Sequence, residues 1–295
     1  MLPPTHESAC VPAQILDGRA IAADLRAQVA ADSIALRELG IHPRLIVTLV
    51  GEDDASTAYV RSLFKAGERT GILVDLAQLP PRATNDEVRE RMQVLAQDAT
   101  VHGVLLQQPL PAHLSIRSIA DAIPANKDVD GANPINQGRL AFGSGTDFVP
   151  ATPAAVMLLL QRSPAWPIKG KRAVAIGRSN VVGLPVALLM LAANATVTLL
   201  HKESRELSTD VRSADVVIAA TGVPRLVDGR MVKPGATVID VGTTFVDGTL
   251  CGDVDFASVR EIAGALTPVP GGVGPVTNLA LLQNVIKAAK SLNLH

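Results

Sequence analysis

A chain of 295 residues, 47% apolar and 19% charged with a formal net charge of -1, is long enough for two ordinary domains and carries no electrostatic footprint for nucleic acid or an anionic membrane. Aromatic residues make up only 2%, too few for a base-stacking platform, and the two cysteines, Cys10 and Cys251, belong to no CxxC motif or Cys/His cluster. Neither a disulfide framework nor a zinc site is indicated, so the expectation is a small-molecule ligand, no metal and a reducing cytoplasm.

The N-terminal MLPPTHESACVPAQ lacks a basic segment followed by an apolar run and reads as a loose tail, not a secretory signal. Further on, STAYVRSLFKA (56–66) sets a tyrosine and a lysine close together after an acidic loop. Apolar, β-rich runs recur along the chain: RLIVTLV (44–50), ILVDLAQL (72–79), GVLLQ (103–107), RAVAIG (172–177), ATVTLL (195–200), DVVIAA (215–220) and ATVIDVG (236–242). Helical patterns separate them, and this alternation predicts an α/β protein with parallel sheets covered on both faces. The polar, Gly-rich stretch 128–153 reads as an interdomain connection or a site loop. Beyond it, Thr152 is positioned to cap a helix with Pro153 at the first helical position. The most membrane-like window, 181–200, is divided by Pro185, Asn194, Thr196 and Thr198 into a helix-sized and a strand-sized piece, and reads as buried core.

The stretch 169–201 reads strand, turn, helix, strand, within about the 30 residues of a βαβ unit. Gly177 and Gly183 flank its turn with GxxxxxG spacing, not GxGxxG. A glycine at a strand end lets the backbone approach a pyrophosphate, and the N-terminus of the next helix offers unpaired N–H groups to anionic oxygens. Arg178 follows the first glycine and Lys202 the next strand, where a carboxylate would hold a 2'-hydroxyl. Two cations there predict NADP in preference to NAD; the alternative is two solvated cations, with Glu203 beside Lys202. His201 reads as a strand-end histidine with a structural hydrogen bond. LTPVPGGVGPVTN (266–278) holds three prolines and three glycines and reads as a ligand-lining loop running into a helix at Thr277. TNLALLQNVIKAAKSL makes that helix amphipathic, and it is expected to pack back on the first half of the chain.

The segments HGVLLQQPLP (102–111), KDVDGANPINQGRL (127–140), GRSNVVGLP (177–185), KPGATVIDVG (233–242), GDVDF (252–256) and TPVPGGVGPVT (267–277) resemble the bifunctional methylenetetrahydrofolate dehydrogenase/methenyltetrahydrofolate cyclohydrolase family. The resemblance runs in order from about Ile15 to the C-terminal helix. It implies an N-terminal α/β domain (1–150) that binds folate, a C-terminal Rossmann domain (151–277) that binds NADP, a cleft between them and a homodimer. The helix from about 278 is assigned to the first domain. The resemblance also implies catalytic roles for Tyr59, which would stack on the pterin side, Gln107 and Asp130. A carboxylate suits the pterin, because the pterin's amino and ring N–H groups form a donor pair; the plainer reading, a turn aspartate, is preferred for Asp128. The implied folate site also includes Leu63, Leu106, Gln108, Pro270, Gly271, Gly272, Val273 and Gly274. Cofactor contacts fall to Gly177, Arg178, Ser179, Lys202, Thr243 and Thr277.

One departure from the family pattern changes the chemistry expected. The family has its catalytic lysine four residues after the tyrosine, and here that place is Leu63. Lys65 lies six residues after Tyr59. On a helix the fourth residue lies about 40° round from the first and the sixth about 240°, so Lys65 does not replace the missing amine. PATPAA (150–155), VGTT (241–244), GPVT (274–277) and Lys202 also differ from the family's usual residues. The expectation is an NADP-dependent dehydrogenase with weak or absent cyclohydrolase activity. The alternatives are the full bifunctional enzyme and a catalytically silent folate or nucleotide binder.

Overall fold

Continuous apolar runs bounded by turn residues become central parallel strands in the computed structural model, which describes residues 12–143 and 148–294. Most of the N-terminal segment read as a tail, with Cys10, and residues 144–147 of the polar stretch lie outside the described residues.

In chain order the elements begin β1 (Gln14–Ile15), α1 (Gly18–Glu38), β2 (Arg44–Val50), α2 (Asp54–Thr70), β3 (Leu73–Leu79), α3 (Asn85–Gln97) and β4 (Gly103–Leu106). They continue α4 (Ile116–Ile119), α5 (Pro134–Phe142), α6 (Ala151–Gln161), β5 (Arg172–Ile176), α7 (Gly183–Ala192), β6 (Thr196–Leu200), α8 (Leu207–Arg212) and β7 (Val216–Ala219). Last come β8 (Thr237–Asp240), β9 (Thr244–Val246), β10 (Thr249–Cys251), α9 (Phe256–Arg260), β11 (Ala265–Leu266) and α10 (Val273–Asn293). Among the described residues no helix is long and apolar enough to cross a membrane, and no group of His, Cys, Asp and Glu side chains could hold a metal ion.

The chain forms two compact units. The first comprises Gly18–Ala155, Ser179–Leu189 and the chain from Gly274 onward; the second comprises residues 12–17, Val156–Arg178 and Met190–Val273. A simple division near residue 150 therefore misses the N-terminal strand. β1 pairs in parallel with β11 (Gln14 opposite Ala265), and a two-residue strand carries too little periodicity to be assigned from sequence.

In the first unit three parallel strands lie in the order β3-β2-β4. The chain goes from β2 to one neighbour and then returns to the other side, which creates a topological switch point between β2 and β4. One face of this sheet packs Ile46, Val50, Val104 and Leu106 against Val88, Met92 and Leu95 of α3. The second unit has six parallel strands in the order β1-β11-β8-β7-β5-β6 and a separate β9-β10 hairpin. Its switch point lies between β5 and β7. β4, β7 and β8 are buried along their whole length, which explains the unbroken apolar runs of β4 and β7.

Open α/β sheets bind ligands at the carboxyl ends of their strands, where the strand order reverses. Each unit therefore offers one such place, after β2 and β4 in the first and after β5 and β7 in the second.

Candidate active site

In the first unit, α2 starts where the Asp53 carboxylate accepts the Ser56 N–H at 2.7 Å, and it ends at Gly71 in the left-handed region. Ser56, Val60, Leu63, Gly67 and Thr70 form its buried stripe, recurring every three or four residues. Tyr59 borders the stripe and is half-buried, whereas Leu63, one turn further on, has 0% exposure. Lys65 is exposed. The position that the family resemblance assigns to a catalytic amine is thus occupied by a buried aliphatic side chain.

Asp130 is electrostatically coupled to Tyr59. Burial pushes the tyrosine's phenol up from its usual range, and the Asp130 charge adds to the effect. Asp130 keeps part of its surface exposed, yet burial pushes its carboxyl up to about 7; the Ala151 N–H it accepts at 3.2 Å pulls the other way, and Asp128 adds to the rise. No Lys or Arg among the described residues is paired with it. This contact corrects the expected start of α6: the helix begins at Ala151, one residue before Thr152, and the carboxylate that meets its first N–H comes from 21 residues earlier in the chain.

Asp128 fills the plainer role expected of it. Its buried oxygens accept the Ala132 and Asn133 N–H groups at 3.0 and 2.8 Å and the Asn136 side-chain amide at 2.8 Å, which shapes the loop around Asp130.

A carboxylate that titrates near 7 predicts a pH dependence. If ionised Asp130 accepts the substrate's N–H pair, KM for that substrate is expected to fall as pH rises through about 7 and to climb roughly tenfold per unit below it. Steady-state kinetics on either side of neutrality checks this, and an Asp130→Asn variant should lose the inflection.

Gln107 follows β4 at the first unit's switch point. It is 9% exposed; its backbone N–H donates to the Thr48 carbonyl at 2.9 Å and its side-chain amide to the Gln108 carbonyl at 2.7 Å. Gln108 is half-buried. The Leu106 side chain sits in the apolar core beside α3, so it serves packing and does not line a ligand surface.

In the second unit Gly177 ends β5 with φ +113, and a Cβ there would lie 2.0 Å from the Ala220 carbonyl oxygen at the end of β7. Only glycine permits this approach, and it leaves bare backbone at the switch point. Arg178 is exposed. The Lys202 side chain is 86% exposed, with its ammonium 3.9 Å from Glu203, and exposed pairs of this kind bind weakly. Both cations are therefore free to meet an anionic ligand. His201 accepts the Glu203 N–H on Nδ1 at 3.2 Å and its own N–H donates to Ser204, bonds that shape a turn. Ser179 is exposed and caps α7, its hydroxyl accepting the Val182 N–H at 3.1 Å. Thr243 is exposed after β8.

The glycine-rich loop ends earlier than its sequence suggests. α10 begins at Val273, so Gly274 and Pro275 lie in its first turn and Thr277 is already helical; proline is tolerated there because the first N–H groups have no helical partner. Pro270 is exposed, Gly271 has φ +112, and the Gly272 N–H donates to the Pro268 carbonyl at 2.8 Å.

Several polar residues that organise these places were not singled out from the sequence. Asn284 of α10, 3% exposed, donates to the Val129 and Val149 carbonyls, both at 2.8 Å, and so fixes the chain on either side of the Asp130–Ala151 contact. Asn278 donates to the Ser62 hydroxyl at 2.6 Å, next to Leu63. An asparagine inside the apolar run LALLQNVI was the available signal for Asn284.

Residues 16–130 match the family model for the tetrahydrofolate dehydrogenase/cyclohydrolase catalytic domain, and residues 150–293 the model for the NAD(P)-binding domain of the same enzymes. The chain is 47% identical over 281 residues, 95% of its own length and 100% of the relative's, to the bifunctional protein FolD of Moorella thermoacetica. It is 49% identical over 278 residues, 94% and 99% of the two chains, to the protein of the same name from Halalkalibacterium halodurans. Among solved structures, the Campylobacter jejuni bifunctional methylenetetrahydrofolate dehydrogenase/cyclohydrolase aligns with a TM-score of 0.90 at 42% identity, covering 94% of this chain and 99% of the other. The Trypanosoma brucei dehydrogenase-cyclohydrolase, solved with NADP and an inhibitor, aligns with a TM-score of 0.90 at 36% identity, covering 95% and 98%.

Proposed function

The chain belongs to the tetrahydrofolate dehydrogenase/cyclohydrolase family, and on that premise we propose that it oxidises 5,10-methylenetetrahydrofolate to the 5,10-methenyl form with NADP, working as a homodimer as the resemblance implies. The observation that carries this reading is Asp130, a partly buried carboxylate that accepts the Ala151 N–H, has no cation partner among the described residues and lies close enough to Tyr59 for its charge to act on the phenol.

NADP, when bound, supplies a nicotinamide that accepts a hydride. The second unit's residues fit it: bare backbone at Gly177, and an exposed Arg178 and Lys202 to meet a 2'-phosphate, Glu203 being only loosely paired with Lys202. In the first unit, Asp130 holds and orients the pterin through its N–H pair while Tyr59 offers a face to stack against. The bridging carbon loses a hydride and becomes a cation shared with its two nitrogen neighbours. No substrate proton has to leave, so positioning suffices for this step.

The second half-reaction divides the support. Relatives that share nearly half of their residues with this chain are named bifunctional, and they favour an enzyme that also hydrolyses the methenyl product. A specific observation favours weak hydrolysis instead: adding water to the cation, removing its proton and opening the ring benefit from a proton-handling group, and Leu63 supplies none.

The cofactor half of the reading is tested by comparing NADP with NAD in the oxidation assay. NADP is expected to give the lower KM at low ionic strength and to lose part of that lead as salt rises. Equal KM values at every salt concentration would remove the 2'-phosphate argument.

A further inference from the structure

Resting on the reading of the second unit as the NADP domain, we infer that Asp253 is a positioning residue for the cofactor turn, holding the loop after β7 in the place against which the Gly177 backbone rests. Asp253 has 0% exposure. One of its carboxylate oxygens accepts three bonds from that loop: the Thr221 N–H, the Thr221 hydroxyl at 3.0 Å and the Gly222 N–H at 3.0 Å. The residue just before this pair is Ala220. Its N–H donates to the Ile176 carbonyl at 2.8 Å, and its own carbonyl occupies the space that a Gly177 side chain would need. The position of Thr221 thus fixes the surface on which the turn at the end of β5 packs, and through it the bare backbone that would face a pyrophosphate.

Asp253 is itself held. Its N–H donates to Asp240 Oδ1 at 2.9 Å, and Asp240 also accepts the Gly242 N–H at 2.9 Å and the Val254 N–H at 3.0 Å. The Asp240 N–H in turn donates to the Thr267 hydroxyl at 2.8 Å. The ends of β7, β8 and β11 are therefore tied together by two buried carboxylates, neither of which is paired with a cation among the described residues. Burying such groups is costly unless hydrogen bonds repay it, and here all the donors are loop N–H groups and a hydroxyl at the sheet's carboxyl edge. Asp253 Oδ1 has no hydrogen-bond partner among the described residues and packs against Gly242, the neighbour of Thr243. The arrangement is shaped for those loops, at a price in desolvation that the apolar core of the unit does not require.

The test is calorimetric titration of NADP into the full-length protein, with thermal unfolding and folate affinity measured on the same samples. Asp253→Ala is expected to weaken NADP binding roughly tenfold or more, since two loop N–H groups lose their acceptor, while folate affinity stays within about twofold. Asp253→Asn keeps an acceptor oxygen and is expected to restore affinity to within about threefold of the parent. Thr221→Val, which removes one of the three bonds, should weaken binding by about threefold. A lowered melting temperature with NADP affinity unchanged in folded Asp253→Ala would overturn the inference. Should that variant fail to fold, unchanged affinity in Thr221→Val would overturn it equally. A parent protein that binds no NADP would sink the functional reading itself, an outcome distinct from either.

Discussion

Asparagine in place of Asp130 is expected to lower kcat/KM for 5,10-methylenetetrahydrofolate oxidation by about 10²-fold or more. The carboxylate presents two acceptor oxygens, whereas the amide turns one of them into a donor that opposes a pterin N–H. Losing one charge-assisted bond and leaving a donor facing a donor together account for a few kcal/mol. The backbone contact of Asp130 survives the change, because the amide oxygen can still accept the Ala151 N–H seen at 3.2 Å. The loop also keeps Asp128, which organises it independently through three bonds. The defect should therefore appear in substrate KM and not in the melting temperature, and NADP affinity should stay near that of the parent. A variant with kcat/KM within about fivefold of the parent would show that Asp130 does not hold the substrate.

Leu63→Lys is the second large effect expected. The purified parent is expected to hydrolyse methenyltetrahydrofolate slowly, and the lysine variant to gain about 10²- to 10⁴-fold, the usual range for a general acid or base. Position 63 lies on the buried stripe of α2 with 0% exposure, so the new ammonium must be drawn toward the Tyr59 and Asp130 side to escape a dry environment. Stability is expected to fall by about 1–3 kcal/mol for the lost packing and the buried charge. A cation one turn from Tyr59 should also favour the ionised form of Asp130, so the pH inflection in KM is expected to move below about 7 in this variant. Fast enzyme-dependent decay of methenyl absorbance by the parent would instead support the bifunctional reading that the named relatives favour.

What the sequence made legible follows from where local and tertiary signals agree. The β2, β5, β7 and β8 runs are mostly apolar and buried over nearly their whole length because both faces are covered, and the sequence pattern places each to within about two residues. The helical geometry that separates Leu63 from Lys65 needed only the period of α2. α5 lay hidden inside a polar stretch read as a loop, although Asn133 caps it, Pro134 opens it and Gly143 closes it in the left-handed region; few of its residues are buried, so no apolar face announced it. β1, β9, β10 and β11 are two or three residues long and owe their existence to a partner strand. The Asp130–Ala151, Asn284–Val129 and Asp253–Thr221 bonds join residues 21, 155 and 32 positions apart, distances at which spacing carries no information. The catalytic reading of Tyr59, Gln107 and Asp130 rests on family resemblance; to it the structure adds the burial that raises the Tyr59 phenol and the Asp130 carboxyl.

The most direct test of the central claim is to follow the fate of the bridging hydrogen. Purified protein is given 5,10-methylenetetrahydrofolate deuterated on the bridge carbon together with NADP, and the reduced cofactor is weighed by mass spectrometry. The account predicts deuterium on the nicotinamide ring, in amounts that match the methenyl product and that form about 10²-fold more slowly with Asp130→Asn at low substrate concentration. Reduced cofactor without the label, or no reduction by folded protein that binds NADP, would contradict it.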